Sequence, residues 1–158
     1  MSELQSPSAV GDLESLITTW LHEFARENKL VLAIDRGTSD DTVFGEPRWY
    51  VRMSGEAKEF ITVWLTLGQR TLRYETYVMP APEENEREVA AQLLRRNDRL
   101  VGAHFSVGDE DAIYLRGEIP DSALTAAELD RVIGTLYATV ELVFQPLIRL
   151  GFASRFAS

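Results

Sequence analysis

FITVWLTLGQRTLRYETYVMP, residues 60–80, carries the pattern on which the fold of this chain turns. Ile61, Val63, Leu65 and Leu67 alternate with Phe60, Thr62, Trp64 and Thr66, the period of two that a pleated strand requires. The alternation resumes after Gly68-Gln69. If these two are the central residues of a type II′ turn, with Gly first because φ must be positive there, the register follows. Leu65 then pairs with Leu72, Val63 with Tyr74 and Ile61 with Thr76 on one apolar face. The second face carries Trp64 beside Arg73 and Phe60 beside Tyr77. A slip of one residue would mix the two faces.

Working outward, Trp49, Val51 and Met53 alternate with Tyr50 and Arg52, a strand joined to the first through the loop Ser54 to Lys58, which sets Val51 opposite Ile61. Pro80 and Pro82 end the sheet on the other side, since neither can sustain a central ladder. A second hairpin runs from Leu100 to Val107 and Ala112 to Ile119 around Gly108–Asp111, with Phe105 and Val107 facing Ile113 and Leu115. Leu30 to Ile34 fits either a first short strand or the packed exit from a helix.

Three amphipathic segments surround these strands. The first opens near Asp12, with Leu13, Leu16, Ile17, Trp20, Leu21 and Phe24 in one stripe and Asn28 as its stop. The second follows the prolines, with Glu83, Glu84 and Glu86 in or near its first turn, Arg95 and Arg96 near its last, and a narrow stripe of Val89, Ala90, Leu93 and Leu94. The third starts at a Thr125–Glu128 capping box stapled by Leu124 and Leu129, and its stripe runs to Leu147. Pro146 predicts a kink or break near Leu142–Gln145, and Gly151 is the terminator. Phe152 and Phe156 beyond it either fold back on the domain or dock on a partner. The order α-β-β-β-α-β-β-α describes an α+β domain, an antiparallel sheet of about five strands with the first and last helices on one face. Residues 1–11 read as a flexible tail and 12–158 as a single domain.

A length of 158 residues with 45% hydrophobic content supports one core without metal or disulfide. The chain has no cysteine, hence no disulfide frame and no cysteine nucleophile or ligand. A net charge of −9 argues against nucleic-acid and anionic-membrane partners, which bind through basic patches. No stretch is apolar enough to span a bilayer and the start resembles no leader, so the expected location is cytoplasmic.

No catalytic, cofactor or metal site is expected. Asp35, Asp40 and Asp41 lack the spacing of a calcium loop, and Asp109, Glu110 and Asp111 are adjacent on a turn and cannot converge on one ion unaided. His104 and His22 lie on separate elements, which makes a shared metal site or a positioned serine base a poor fit. Phosphate loops, nucleophile elbows, HExxH and dinucleotide fingerprints do not occur.

The runs FITVWLTLGQRTLRYETYVMPAPEEN, LLRRN, GAHFSVGDEDAIYLRGEIP and LDRVIGTLYATVELVFQPLIRLGFASRF resemble the YbjN-domain family in its actinobacterial form. The likeness covers Arg48 to Phe156, with Leu13 to Asn28 fitting the family's first helix; Asp35–Pro47 and the extreme N-terminus match nothing recognisable. The resemblance implies the fold of type III secretion chaperones, small acidic dimers that hold partner polypeptides without ATP, and supplies no catalytic residue to carry over. Fold likeness alone does not transfer that function.

Two functional classes are compatible with these features. One is a non-enzymatic interaction module, a homodimer that binds a protein or peptide through an exposed sheet edge or through the second face bearing Phe60, Trp64, Arg73 and Tyr77. Those aromatics could instead be covered by the chain's own tail or by the dimer. The other is a small-ligand sensor or enzyme using Arg73, Tyr74, Glu75 or His104 in a pocket near the central hairpin.

Overall fold

A computed structural model of the chain describes residues 7–157. Its elements are α1 (Pro7–Glu27), β1 (Val31–Arg36), β2 (Arg48–Ser54), β3 (Phe60–Leu67), β4 (Thr71–Met79), α2 (Glu86–Asn97), β5 (His104–Val107), β6 (Ile113–Pro120), α3 (Ala126–Gly151) and the short α4 (Ala153–Phe156). The strands form one antiparallel sheet in the order β1-β2-β3-β4-β6-β5. Leu30 to Ile34 thus contributes a true edge strand, giving six strands where the alternation alone suggested about five.

The β3–β4 register lies two residues from the expected one: Leu67 pairs with Leu72, Leu65 with Tyr74 and Val63 with Thr76. The turn is centred on Gln69-Arg70, and Gly68 N–H donates to Thr71 C=O at 3.0 Å. Gly68 is absent from the positive-φ residues, so the type II′ geometry does not form. A shift of two restores every side chain to its own face, because the pleat has period two. β2–β3 is displaced in the same way, with Val51 opposite Val63 and Met53 opposite Ile61. In the β5–β6 hairpin Phe105 meets Leu115 and Val107 meets Ile113, as expected.

Helix α1 extends through residues 7–11, which the sequence assigned to a flexible tail; residues 1–6 lie outside the described ones. Val10 explains the extension, since it packs against the core in line with Leu13, Trp20 and Phe24. α3 runs unbroken through Pro146, with no break at Leu142–Gln145. Pro146 and Leu142 both lie on the exposed side of the helix, where water can satisfy the carbonyl that proline leaves unpaired. Thr125 Oγ accepts from Glu128 N–H at 3.1 Å, while the Glu128 carboxylate turns to Arg131, so half of the capping box forms.

Ile17 and Leu21 of α1, Val89 of α2 and Val132, Leu136, Val140 and Val143 of α3 join Val51, Ile61, Val63, Leu65 and Leu115 in one buried cluster. Trp49 fixes α1 on this face through its Nε1–H, 3.1 Å from Thr18 Oγ. α3 also clamps the β2–β3 loop. The Glu141 carboxylate accepts from the N–H groups of Glu56, Ala57 and Lys58 at 2.8, 3.2 and 3.1 Å, and Tyr137 donates to Ser54 C=O at 2.7 Å. Gly55 is required there, because a Cβ would stand 2.2 Å from the Lys58 carbonyl oxygen and 2.7 Å from Glu141 Oε1.

Glu83 and Glu84 precede α2 and hold the C-terminal segment. Their N–H groups donate to Gly151 C=O, Glu84 accepts from Ser154 N–H at 2.8 Å, and Glu83 pairs with Arg155. Phe152 is buried and Phe156 exposed.

Candidate partner-binding face

With the three long helices gathered on one side, the other face of the sheet carries no helix among the described residues. Tyr50, Trp64, Tyr77 and Tyr114 lie there half-buried, none of them in the core cluster. Their rings form a chain: Tyr50 meets Trp64 edge-on at 6.4 Å between centroids, Trp64 meets Tyr114 at 6.1 Å, and Tyr114 meets Tyr77 edge-on at 5.6 Å. Quadrupolar attraction between edge and face orients such rings, and two of them carry a cation, the Arg116 guanidinium 4.3 Å from the centre of Tyr114 and Lys58 Nζ 5.1 Å from that of Tyr77. Burial raises the Tyr77 hydroxyl above its ordinary pKa, and the Tyr114 hydroxyl and Glu110 carboxylate nearby add to the shift electrostatically.

The four residues singled out from the sequence do not form one cluster. Trp64 and Tyr77 are joined through Tyr114. Phe60 sits at the start of β3 opposite Ser54, 43% exposed, with the Arg52 guanidinium 4.5 Å above its ring. Arg73 pairs across the sheet with Thr66 and Glu118, so neither expected neighbour, Trp64 for Arg73 or Tyr77 for Phe60, is in place. Trp64 stands opposite Glu75 instead. Sequence reasoning missed Tyr50, Tyr114 and Arg116. Their parity within β2 and β6 was readable from the core residues on either side, but β6 lies beside β4, and that pairing joins strands separated by α2 and β5.

One end of the face is walled by the loop between β1 and β2. Tyr50 Oη donates to Asp41 Oδ2 at 3.0 Å, Thr38 N–H donates to the same carboxylate at 3.1 Å, and Arg48 donates to Asp41 C=O at 3.2 Å. The Tyr50 hydrogen bond is the largest of several that hold the Asp41 carboxyl below its usual pKa. Asp41 thus pins a turn. Val43 and Phe44 stand out at the loop tip, nearly fully exposed.

Arg73, Tyr74, Glu75 and His104 come together in a shallow depression of about 390 Å³ with Arg116, Gly117 and Glu118. Within it Arg116 Nε stands 3.7 Å from a Glu75 carboxylate oxygen, and the Tyr74 hydroxyl is taken up by Gly102 C=O, to which it donates. Burial raises the Tyr74 pKa. A second depression, an apolar groove of about 450 Å³, lies between α2 and the edge strand β5 and is lined by Val89, Leu93, Leu94, Phe105, Val107 and Ile113 among others. Asn97 closes part of that edge, its amide exchanging hydrogen bonds with both the N–H (2.6 Å) and C=O (3.2 Å) of Phe105. Among the described residues no group of acids and histidines is placed to hold a metal, and no helix is long and apolar enough to cross a membrane.

The fold is similar to that of chains in solved complexes, one of them from a type III secretion system. The chain superposes on a chain of the heterodimeric ExoU–SpcU complex of Pseudomonas aeruginosa with a TM-score of 0.51 at 16% identity, covering 82% of this chain and 98% of that one. On a chain of the ExsC–ExsE complex the TM-score is 0.52 at 18% identity, covering 85% and 96%. By sequence it belongs to the YbjN family, described as "Putative bacterial sensory transduction regulator", whose profile matches residues 15–149. Uncharacterized protein Rv0487 of Mycobacterium tuberculosis is 39% identical over 108 residues, 68% of this chain and 59% of that protein. Uncharacterized protein ML2442 of Mycobacterium leprae is 33% identical over 107 residues, covering 68% and 58%. The chain thus spans under two thirds of the length of these relatives.

Proposed function

We propose that this protein is a non-enzymatic, chaperone-like interaction module of the cytoplasm that holds a protein or peptide partner on the open face of its sheet. The ring chain Tyr50–Trp64–Tyr114–Tyr77 carries this reading, because half-buried aromatics on a face that no described helix covers are the residues that dominate binding energy when a partner desolvates them. Phe60 and Arg73 flank it. The described tail is anchored at Glu83 and Glu84, beside α2, which supports an uncovered face. The test is capture of polypeptides on immobilised protein. Wild type retains them and the Trp64→Ala/Tyr77→Ala variant, folded by circular dichroism, loses them; equal retention overturns the assignment.

The homodimer is assigned to the groove between α2 and β5. Leu94 and Val107 are 69% and 65% exposed there. α2 is acidic at its start, Glu86 and Glu88, and basic at its end, Arg95 and Arg96, so a two-fold, antiparallel pairing of two copies sets opposite charges together. Leu94→Asp should give a monomer by light scattering, and an unchanged mass would refute this interface.

The depression at Arg73, Tyr74, Glu75 and His104 favours a second reading, a small-ligand sensor. Its test is the melting temperature of the protein across a metabolite panel: a ligand that stabilises wild type but not His104→Ala would support it, and a flat response would remove it.

A further inference from the structure

Arg95, Arg96 and Arg99 bring three of the 16 basic residues of this acidic chain together at the end of α2. Cations there are ordinarily explained by the helix dipole, whose negative end they complement. Two features go further than that. Arg99 stands beyond the last helical residue, Asn97, and the three side chains line one depression of about 680 Å³ whose other wall is Thr139 and Leu142 of α3. This depression lies on the α3 side of α2, while the groove assigned to the second copy lies on its β5 side.

None of the three guanidinium groups is in a salt bridge among the described residues. The walls of the depression include no carboxylate, neither that of Asp98, which stands between Arg96 and Arg99 in sequence, nor that of Glu88. Glu88 lies two turns before Arg95 on α2, about 10 Å along the axis, a separation across which salt screens exposed charges. On α3 the Glu141 carboxylate is taken by the β2–β3 loop and that of Glu128 by Arg131. The arginine cluster therefore keeps its charge.

What such a cluster takes follows from its donors. A guanidinium presents a planar fork of N–H groups that engages two oxygens at once. A carboxylate satisfies one fork and one charge. Three forks call for an anion with three terminal oxygens and more than one negative charge, which describes a phosphate monoester. Thr139 adds a hydroxyl, and Leu100 with the exposed Leu142 offers an apolar shoulder to the organic part. The geometry points to a binding site for a small phosphate monoester between α2 and α3, its phosphate held by Arg95, Arg96 and Arg99 and its organic group against Leu100 and Leu142. The site is independent of the partner-binding face, which lies on the other side of the sheet.

Phenyl phosphate, inorganic phosphate and succinate, titrated into the isotope-labelled full chain at constant ionic strength, test it. Nitrogen–proton spectra report the arginine Nε–H groups and the Thr139 amide. Phenyl phosphate should shift the signals of Arg95, Arg96, Arg99 and Thr139 to saturation, binding about threefold tighter than inorganic phosphate and about tenfold tighter than succinate. Arg95→Ala/Arg99→Ala should weaken it about tenfold, whereas Arg87→Ala, earlier on the same helix and outside the depression, should leave it unchanged. Leu142→Ala should remove the advantage of phenyl phosphate over inorganic phosphate. Arg95 and Arg99 are both exposed, so the double variant keeps its core, which its spectrum verifies. Non-saturating shifts, shifts spread evenly over the exposed arginines, or equal affinity for wild type and the double variant would overturn the site and leave helix-dipole stabilisation as the role of these residues. Succinate binding as tightly as phenyl phosphate would overturn the phosphate, and inorganic phosphate binding as tightly would overturn the organic ester.

Discussion

Asp121 is 3% exposed, and neither carboxylate oxygen has a hydrogen-bond partner. Burial raises its pKa from 3.8 to about 6. The folded state therefore holds this proton more tightly than the unfolded chain, so the contribution to stability is best below pH 3.8 and declines as pH rises to about 6. Asp121→Asn should raise stability on the order of 1–3 kcal/mol at pH 7.5 and change it little at pH 4. Denaturant melts at the two pH values decide this; an equal effect at both would contradict it. Glu141 has the opposite sign. Burial opposes its charge, but the three backbone N–H groups of the β2–β3 loop outweigh it and lower the pKa below 4.5. Its stabilisation is present above the unfolded value and lost as pH falls through the folded one. Glu141→Gln should cost about 1–3 kcal/mol at pH 7, read from urea unfolding, by weakening three charge-assisted hydrogen bonds.

At the scale of elements, the loop that Glu141 clamps and the edge that Asn97 covers hold the two ends of the sheet. Asn97→Ala leaves the N–H and C=O of Phe105 open on an edge strand. We expect about 1–2 kcal/mol lower stability and faster amide exchange at Phe105, measurable by hydrogen exchange. Alternation in Phe60–Leu67 and Thr71–Met79 made the faces of β3 and β4 legible from sequence, and the capping Thr125 located the start of α3. The turn was not legible: Gly68 invites a type II′ geometry, yet the pairing of Leu67 with Leu72 moves the turn one residue on. That shift is invisible to the core, since either register buries Leu65 and Val63. It matters on the open face, where it exchanges Arg73 for Glu75 as the neighbour of Trp64. The ring chain itself depends on Tyr114 meeting Tyr77, a contact between strands that are not consecutive, which local pattern cannot reveal.

For the whole molecule, the proposed protein-binding functions fall on two separate surfaces. The helical side is closed by packing, the α2–β5 groove is assigned to a second copy, and the bare sheet face to a partner. Separation of these surfaces predicts that Leu94→Asp, on the groove, leaves affinity for a face-bound peptide within about twofold while halving the mass, a difference light scattering and fluorescence polarisation would register together. The bare face is the central claim, and the Trp64 indole N–H gives it a direct reporter. Titration of the isotope-labelled protein with a polypeptide captured on the immobilised protein, followed by two-dimensional nitrogen–proton NMR, should move the Trp64 indole and the amides of Tyr50, Tyr77 and Tyr114 while those of α1 and α3 stay in place. Shifts confined to the α2–β5 groove or the helical side, with the Trp64 signal unmoved at saturation, would contradict it.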